Sequence, residues 1–170
     1  ILSPLVSNGD IIFVHNGTYV ENIIVNKTVF LIGENRETTI IDGNRTSNNV
    51  VSIRANNVSL SGFTIRGSIY EYSGISIEIY SDNTNVSFNK IVDNYNGISI
   101  KSSNNNTLSN NIISNNYYGI FCYFSNNNTI SDNLISLSSF DGISLSLSSI
   151  NIISDNILEG NSYGAELGYL

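Results

Sequence analysis

The chain has no methionine, no tryptophan, one cysteine, one proline and one histidine among its 170 residues. A lone Cys122 excludes an internal disulfide framework. With His15 and Cys122 as the only imidazole and thiol, the soft donors that a copper centre needs in number are missing. Good helix formers are also scarce: Ala occurs twice, Lys plus Arg total seven, and no stretch carries a sustained apolar stripe at helical spacing. Seven basic residues against fourteen acidic ones give a net charge of −7, which argues against a nucleic acid or an anionic membrane as partner. No apolar run reaches the ~18 residues of a membrane-spanning helix, and no signal-peptide pattern opens the chain. Pro4 is the only proline and no linker or charge run divides the sequence, so residues 1–170 read as one domain.

What is present is repetition. Gly-Ile-Ser-Ile at 74–77 returns at 97–100, then as Gly-Ile-Phe-Cys at 119–122, Gly-Ile-Ser-Leu at 142–145 and Gly-Ala-Glu-Leu at 164–167. These glycines stand 23, 22, 23 and 22 residues apart. Between them recurs a second pattern, apolar-x-x-Asn-x-apolar-x-x-Asn, as Val86, Asn89, Ile91, Asn94 and as Leu108, Asn111, Ile113, Asn116. It continues as Ile130, Asn133, Ile135, Ser138 and as Ile153, Asn156, Leu158, Asn161. A fixed period of this kind marks a solenoid. Within the unit, Ile75, Ile77 and Ile79, then Ile98 and Ile100, then Ile143, Leu145 and Leu147 alternate with polar residues, which is the period of a half-buried strand. The expected fold is all-β, a parallel β-helix of 22–23 residues per coil. Seven to eight coils at ~4.8 Å give a rod of roughly 35 Å.

In that geometry Asn89, Asn111, Asn133 and Asn156 share one coil position, and Asn94, Asn116 and Asn161 another, with Ser138 in the gap. Asparagine accepts left-handed backbone at bends, and its amide can donate to the carbonyl of the asparagine on the next coil. Both rows are expected to be architecture. The recurring glycine is expected to supply a bend or a close backbone approach. Asn and Ser are abundant enough to look low-complexity, yet each unit keeps its apolar quota, which argues against disorder. Cys122 falls in the inward column of Ile77, Ile100, Leu145 and Leu167 and reads as a small buried filler.

Residues 1–50 are less regular, with strands expected at Asp10–Val14, Val20–Val25, Thr28–Ile32 and Thr38–Ile41. Turns are expected at Asn16-Gly17, Gly33 and Asp42-Gly43. Residues 51–73 form a transitional coil in which Ser61 would take the Asn89 column and Phe63 the Ile91 column. A longer connection then carries Tyr70, Glu71 and Tyr72 ahead of the regular coils at 74–170. The opening pattern Gly9-Asp-Ile-Ile-Phe-Val14, Gly17-Thr-Tyr19, Glu21-Asn22, Leu31-Ile-Gly33 and Ile41-Asp42-Gly43 resembles the first coils of right-handed β-helix proteins of the pectin-lyase-like superfamily. The asparagine-rich coils resemble its NosD-like, carbohydrate-binding and sugar-hydrolase branch, common in surface proteins of archaea and some bacteria. The resemblance spans essentially the whole chain and implies a right-handed helix. For activity it implies little, because this architecture hosts lyases, hydrolases, esterases, adhesins and structural proteins alike.

Enzymes of that superfamily use clustered carboxylates with a basic partner. Only Asp132 and Asp155 fall at one coil position on adjacent coils, with Asn110 below them, and no basic residue follows Lys101. The pair reads as a solvated turn, with a weak calcium site or a catalytic pair as the alternatives. The NosD resemblance raises copper, which His15 and a buried Cys122 do not support, so no cofactor is expected. Tyr95 and Tyr117 share one column, Tyr118 and Tyr163 another, and Phe121 and Tyr123 face outward. These six rings are expected either to stabilise the stack or to meet a glycan or a subunit. Seven Asn-x-Ser/Thr sequons, at Asn16, Asn26, Asn44, Asn57, Asn85, Asn105 and Asn127, permit glycosylation of an exported chain.

The leading expectation is a non-enzymatic extracellular or cell-surface protein: a surface-layer, sheath, filament or adhesin segment that associates with itself or with other surface proteins. The alternative is a carbohydrate-binding module or glycan-processing enzyme using the tyrosine face or Asp132 and Asp155. Ile1 in place of Met, and an apparently uncapped coil at Gly168-Tyr169-Leu170, point to a segment of a longer protein whose coil ends invite end-to-end addition.

Overall fold

Each coil must turn three times to close, and the sequence supplies three short strands per coil. A computed structural model describes residues 5–78 and 80–168. Ile79, Tyr169 and Leu170 lie outside the described residues, as does Pro4, so the expectations placed on Ile79 and on the terminal Tyr169-Leu170 cannot be followed further. The strands stack into three parallel seven-stranded sheets, a β-solenoid of about seven turns. Sheet A contains Asp10–Val14, Val29–Gly33, Ser59–Ser61, Asn85–Ser87, Thr107–Ser109, Thr129–Ser131 and Ile152–Ser154. Sheet B contains Gly17–Val20, Thr39–Thr46, Thr64–Ser68, Lys90–Val92, Ile112–Ser114, Leu134–Ser136 and Ile157–Glu159. Sheet C contains Ile23–Val25, Val51–Ile53, Ser73–Ile77, Asn96–Lys101, Tyr118–Tyr123, Asp141–Ser146 and Tyr163–Leu167.

The register stacks like on like. Leu60, Val86, Leu108 and Ile130 form the inward column of sheet A, and Ile65, Ile91, Ile113 and Ile135 that of sheet B. Sheet C contributes Ile75, Ile98, Ile120 and Ile143 beside Ile77, Ile100, Cys122 and Leu145, all buried. Cys122 takes the inward place expected of it. Leu147 does not continue the inward alternation: it lies past the strand at a left-handed corner (φ +49°) and is exposed.

The recurring glycines serve close approach and not a bend, for none of Gly74, Gly97, Gly119, Gly142 and Gly164 has a positive φ. A Cβ on Gly119 would stand 2.4 Å from the Gly142 carbonyl oxygen and 2.5 Å from Ile135 Cγ2. The left-handed places belong to the residue before each ladder asparagine: Phe88, Asn110, Asp132 and Asp155 precede one row, and Asp93 and Asn115 the other. The ladder residue itself stays out of that region because its side chain must turn inward along the stack.

Three expectations for the opening coils are corrected. Val20–Val25 is two strands in different sheets, broken at Glu21-Asn22, where Asn22 Nδ2 donates to the Asn49 carbonyl (3.0 Å). Asp42-Gly43 is no turn but lies inside Thr39–Thr46, at a bulge between Asp42 and Thr46. Phe63, not Ser61, heads the Asn89 column, and Ile65 takes the Ile91 column. That shift arises because Ile65 and Ile91 are 26 residues apart, whereas later coils repeat at 22 or 23.

Candidate functional site

The corners hold the polar chemistry. Between sheets A and B, Asn89 Nδ2 donates to Asn111 Oδ1 (3.3 Å), Asn111 to Asn133 (3.0 Å) and Asn133 to Asn156 (2.9 Å). Each oxygen also accepts the backbone N–H of the preceding coil's asparagine, at 3.0 Å. Phe63 ends this row, its N–H donating to Asn89 Oδ1 (3.1 Å). Between sheets B and C the second row uses backbone donors: Asn94 N–H to Asn116 Oδ1 (2.9 Å) and Ser138 N–H to Asn161 Oδ1 (2.9 Å). Ser138 interrupts it, leaving its own buried hydroxyl without a partner.

A third row, at the corner from sheet C to sheet A, was missed in the sequence. Asn106 Nδ2 donates to Asn128 Oδ1 (3.0 Å) and Asn128 to Asn151 (3.1 Å), beside a serine row of Ser81, Ser103, Ser125 and Ser148. The repeated Asn-Asn-Thr at 105–107 and 127–129 was its signal, and only the sequon in it was read.

The seven sequon asparagines differ from the ladder ones. Asn16, Asn26, Asn44, Asn57, Asn85, Asn105 and Asn127 are all exposed, and none of their Nδ2 groups donates a hydrogen bond among the described residues. Asn57, Asn105 and Asn127 sit at the sheet C to sheet A corner in left-handed conformation (φ +56°, +58° and +55°).

The aromatic columns stand where they were expected. Tyr95 and Tyr117 stack at 4.7 Å with planes 6° apart, and Phe140, unforeseen, extends the stack at 5.6 Å and 5°. Tyr70 closes one end edge-on at 5.0 Å and Tyr163 the other at 5.3 Å. Both faces of Tyr117 are therefore covered, and the column offers solvent ring edges and phenolic hydroxyls. Tyr118 and Tyr163 share a column with Asp141 between them, while Phe121 and Tyr123 lie on the outer face of sheet C. Asp141 is 1 % exposed and neither carboxyl oxygen has a hydrogen-bond partner. Burial pushes its pKa up, and Glu166 adds to the effect.

Asp132 and Asp155 occupy exposed left-handed corner positions on adjacent coils. No group of three or more His, Cys, Asp or Glu side chains able to hold a metal occurs among the described residues, so the pair has no third ligand of that kind. His15 Nδ1 lies 3.3 Å from Glu34 Oε2 on the surface, and burial pushes the Cys122 thiol up to about 12, far from the thiolate a metal would take.

Similarity to known proteins agrees with this architecture. A pectin methylesterase from Yersinia enterocolitica superposes with a TM-score of 0.59 at 18 % identity, over 86 % of this chain and 63 % of that one. Pectin methylesterase PemA from Erwinia chrysanthemi gives 0.53 at 14 %, over 89 % of this chain and 59 % of that one. At such identities the likeness is one of fold. A cell surface glycoprotein of Methanothermus fervidus is 39 % identical over 64 residues, which is 38 % of this chain and 10 % of that protein. The chain thus matches under two thirds of the length of each of these relatives. The family described as periplasmic copper-binding protein (NosD) matches residues 5–169. The described residues do not fit a copper ion, since the one thiol is buried and protonated and the one imidazole is joined by no second soft donor. By the reach of that match, the chain belongs to the NosD family.

Proposed function

We propose that this chain is a non-enzymatic β-helix segment of an extracellular surface protein, displaying N-linked glycans from its corners. The observation that carries the reading is the division of its asparagines. Those with buried amides hold the coils together, while all seven in sequons keep an exposed, unengaged Nδ2. That nitrogen is the atom which bonds to the anomeric carbon of a lipid-phosphate-linked sugar, losing a proton as the phosphate leaves. The surface glycoprotein of M. fervidus supports the location, and no helix among the described residues is long and apolar enough to cross a membrane. Glycopeptide mapping of protein from its native host is the test. Sugar on the sequon asparagines and none on Asn89, Asn111 or Asn133 is expected, and wholly unmodified peptides would overturn the reading.

Self-association is part of the same proposal. The outer edges of the sheets carry unpaired strand backbone, a template for adding another strand. Light scattering over a concentration series should show growing assemblies, and a monodisperse monomer at high concentration would remove this element. The glycan-processing alternative at Asp132 and Asp155 gains no support from geometry, because the pair is an exposed turn with no basic neighbour after Lys101. Sugar stacking on Tyr95 and Tyr117 is likewise disfavoured by the covered ring faces.

A further inference from the structure

The corner between sheets B and C is simple in the later coils, where one left-handed residue makes the turn: Asp93, Asn115 and Leu137 in succession. Its counterpart in the second coil is built differently. Asp42 pairs with Arg66 and Thr46 with Ser68, so residues 43–45 stand against Gly67 alone. Two consecutive non-glycine residues in this bulge, Asn44 and Arg45, are left-handed (φ +51° and +56°). Such strain persists only where the surroundings hold it. Here Asn44 N–H donates to Asp42 Oδ1 (2.8 Å) and the Thr46 hydroxyl to the Gly43 carbonyl (2.9 Å). Gly67 must lack a side chain, since a Cβ would lie 2.8 Å from Asp42 Oδ1.

The bulge presents Arg45 to a groove. Arg36, Arg54 and Arg66 each pair with a carboxylate, whereas Arg45 has no ion-pair partner among the described residues. Arg45 and Asp93 line two adjoining hollows of about 320 and 380 Å3, which their shared walls make one groove. Arg66 lines the first hollow; its Nε is given to Asp42 (2.8 Å), and its terminal nitrogens are free of hydrogen bonds among the described residues. Tyr95, Asn115 and Tyr117 line the second.

We propose that this groove binds an acidic saccharide, with Arg45 as the residue that selects its carboxylate or sulfate. A bare polyanion does not fit, because the unpaired Asp93 carboxylate accepts hydrogen bonds only and would repel it. The ligand must carry an anion for the guanidinium groups and hydroxyl donors for Asp93 beside it, which is the composition of a uronic-acid or sulfated sugar. Arg45 suits the anion as a planar fork of donors that stays charged. The groove climbs the stack at ~4.8 Å per coil, about one sugar residue for each. This site is separate from the sequon surface and does not rest on the chain being glycosylated.

The test is calorimetric titration of the full chain, produced without glycans, with a tetragalacturonate, its carboxyl-reduced neutral counterpart and a sulfated tetrasaccharide. At least one acidic probe should bind ten times or more tightly than the neutral one, and which acid wins assigns carboxylate or sulfate. Arg45→Ala should abolish that preference. Arg45→Gly, which relieves the left-handed strain, should abolish it without lowering the melting temperature, separating recognition from folding. Equal affinity for charged and neutral probes, no binding of any probe, or an undiminished preference in Arg45→Gly would each overturn the proposal.

Discussion

The opening coils and the later coils solve the same problem by different means. From Leu60 onward the sheet A column advances by 26 residues, then by 22, 22 and 23, and like residues fall on like. Asparagine and serine rows then run unbroken along the corners. Before that, Leu31 and Leu60 are 29 residues apart while Ile41 and Ile65 are 24 apart, so no residue type can recur at one corner. There the corners are held by individual contacts: Asn22 with Asn49 and Thr46, Arg66 with Asp42, Arg54 with Glu78, Lys90 with Glu37. Every ion pair among the described residues lies between His15 and Lys90. Regularity and reactive chemistry occupy opposite halves of the solenoid, because an identical-residue ladder leaves little room for a unique arrangement of charges.

That contrast can be broken most forcefully at a glycine of the regular half. Gly119→Ala sets a Cβ 2.4 Å from a backbone oxygen with no flexible atom to yield, and should cost about 3 kcal/mol or more by urea denaturation. Unchanged stability would mean the coils slide more freely than their register implies. Next comes Asn133→Ala, which removes an amide donating to the Leu108 and Ser131 carbonyls and to Asn156. A loss of about 2 kcal/mol is expected, whereas Asn105→Ala, one corner away and exposed, should stay within about 0.5 kcal/mol. Equal losses at the two sites would erase the distinction between ladder and sequon asparagines.

Asp141 tests the regular half from the other side, as its one buried carboxyl without a partner. Its folded pKa is raised, so the folded state favours the protonated form. Stability is therefore complete below the unfolded pKa and declines as pH rises through the folded one. Asp141→Asn should raise the melting temperature at pH 7 by on the order of 2 °C, with the gain vanishing near pH 3. A pH-independent shift would assign the effect to packing. The smallest effect belongs to the irregular half, where Arg54→Ala should cost under ~1 kcal/mol because the pair with Glu78 is largely solvated, and added salt should shrink it further.

Much of this was legible in the residues. Asn89, Asn111, Asn133 and Asn156 announced their ladder because side chain and spacing repeat together. Cys122 was placed correctly by the company of its column. Asn106, Asn128 and Asn151 escaped because asparagines crowd that corner, and spacing alone does not say which amide turns inward. Phe63 was set two residues off because nothing local reveals that its coil is 26 residues long. The groove at Arg45 had no sequence signal: Asp42, Arg66 and Asp93 meet only through the stacking of separate coils.

By itself, then, the sequence determined the class of fold, the coil length, the apolar columns and the main ladders. These follow from period and composition, which act on every coil alike. Only the tertiary structure decided which asparagines are buried, which rings cover one another and where an unpaired arginine faces an unpaired aspartate. Those outcomes depend on register between coils of unequal length, and register is settled by the whole stack through the summed contacts of all three sheets.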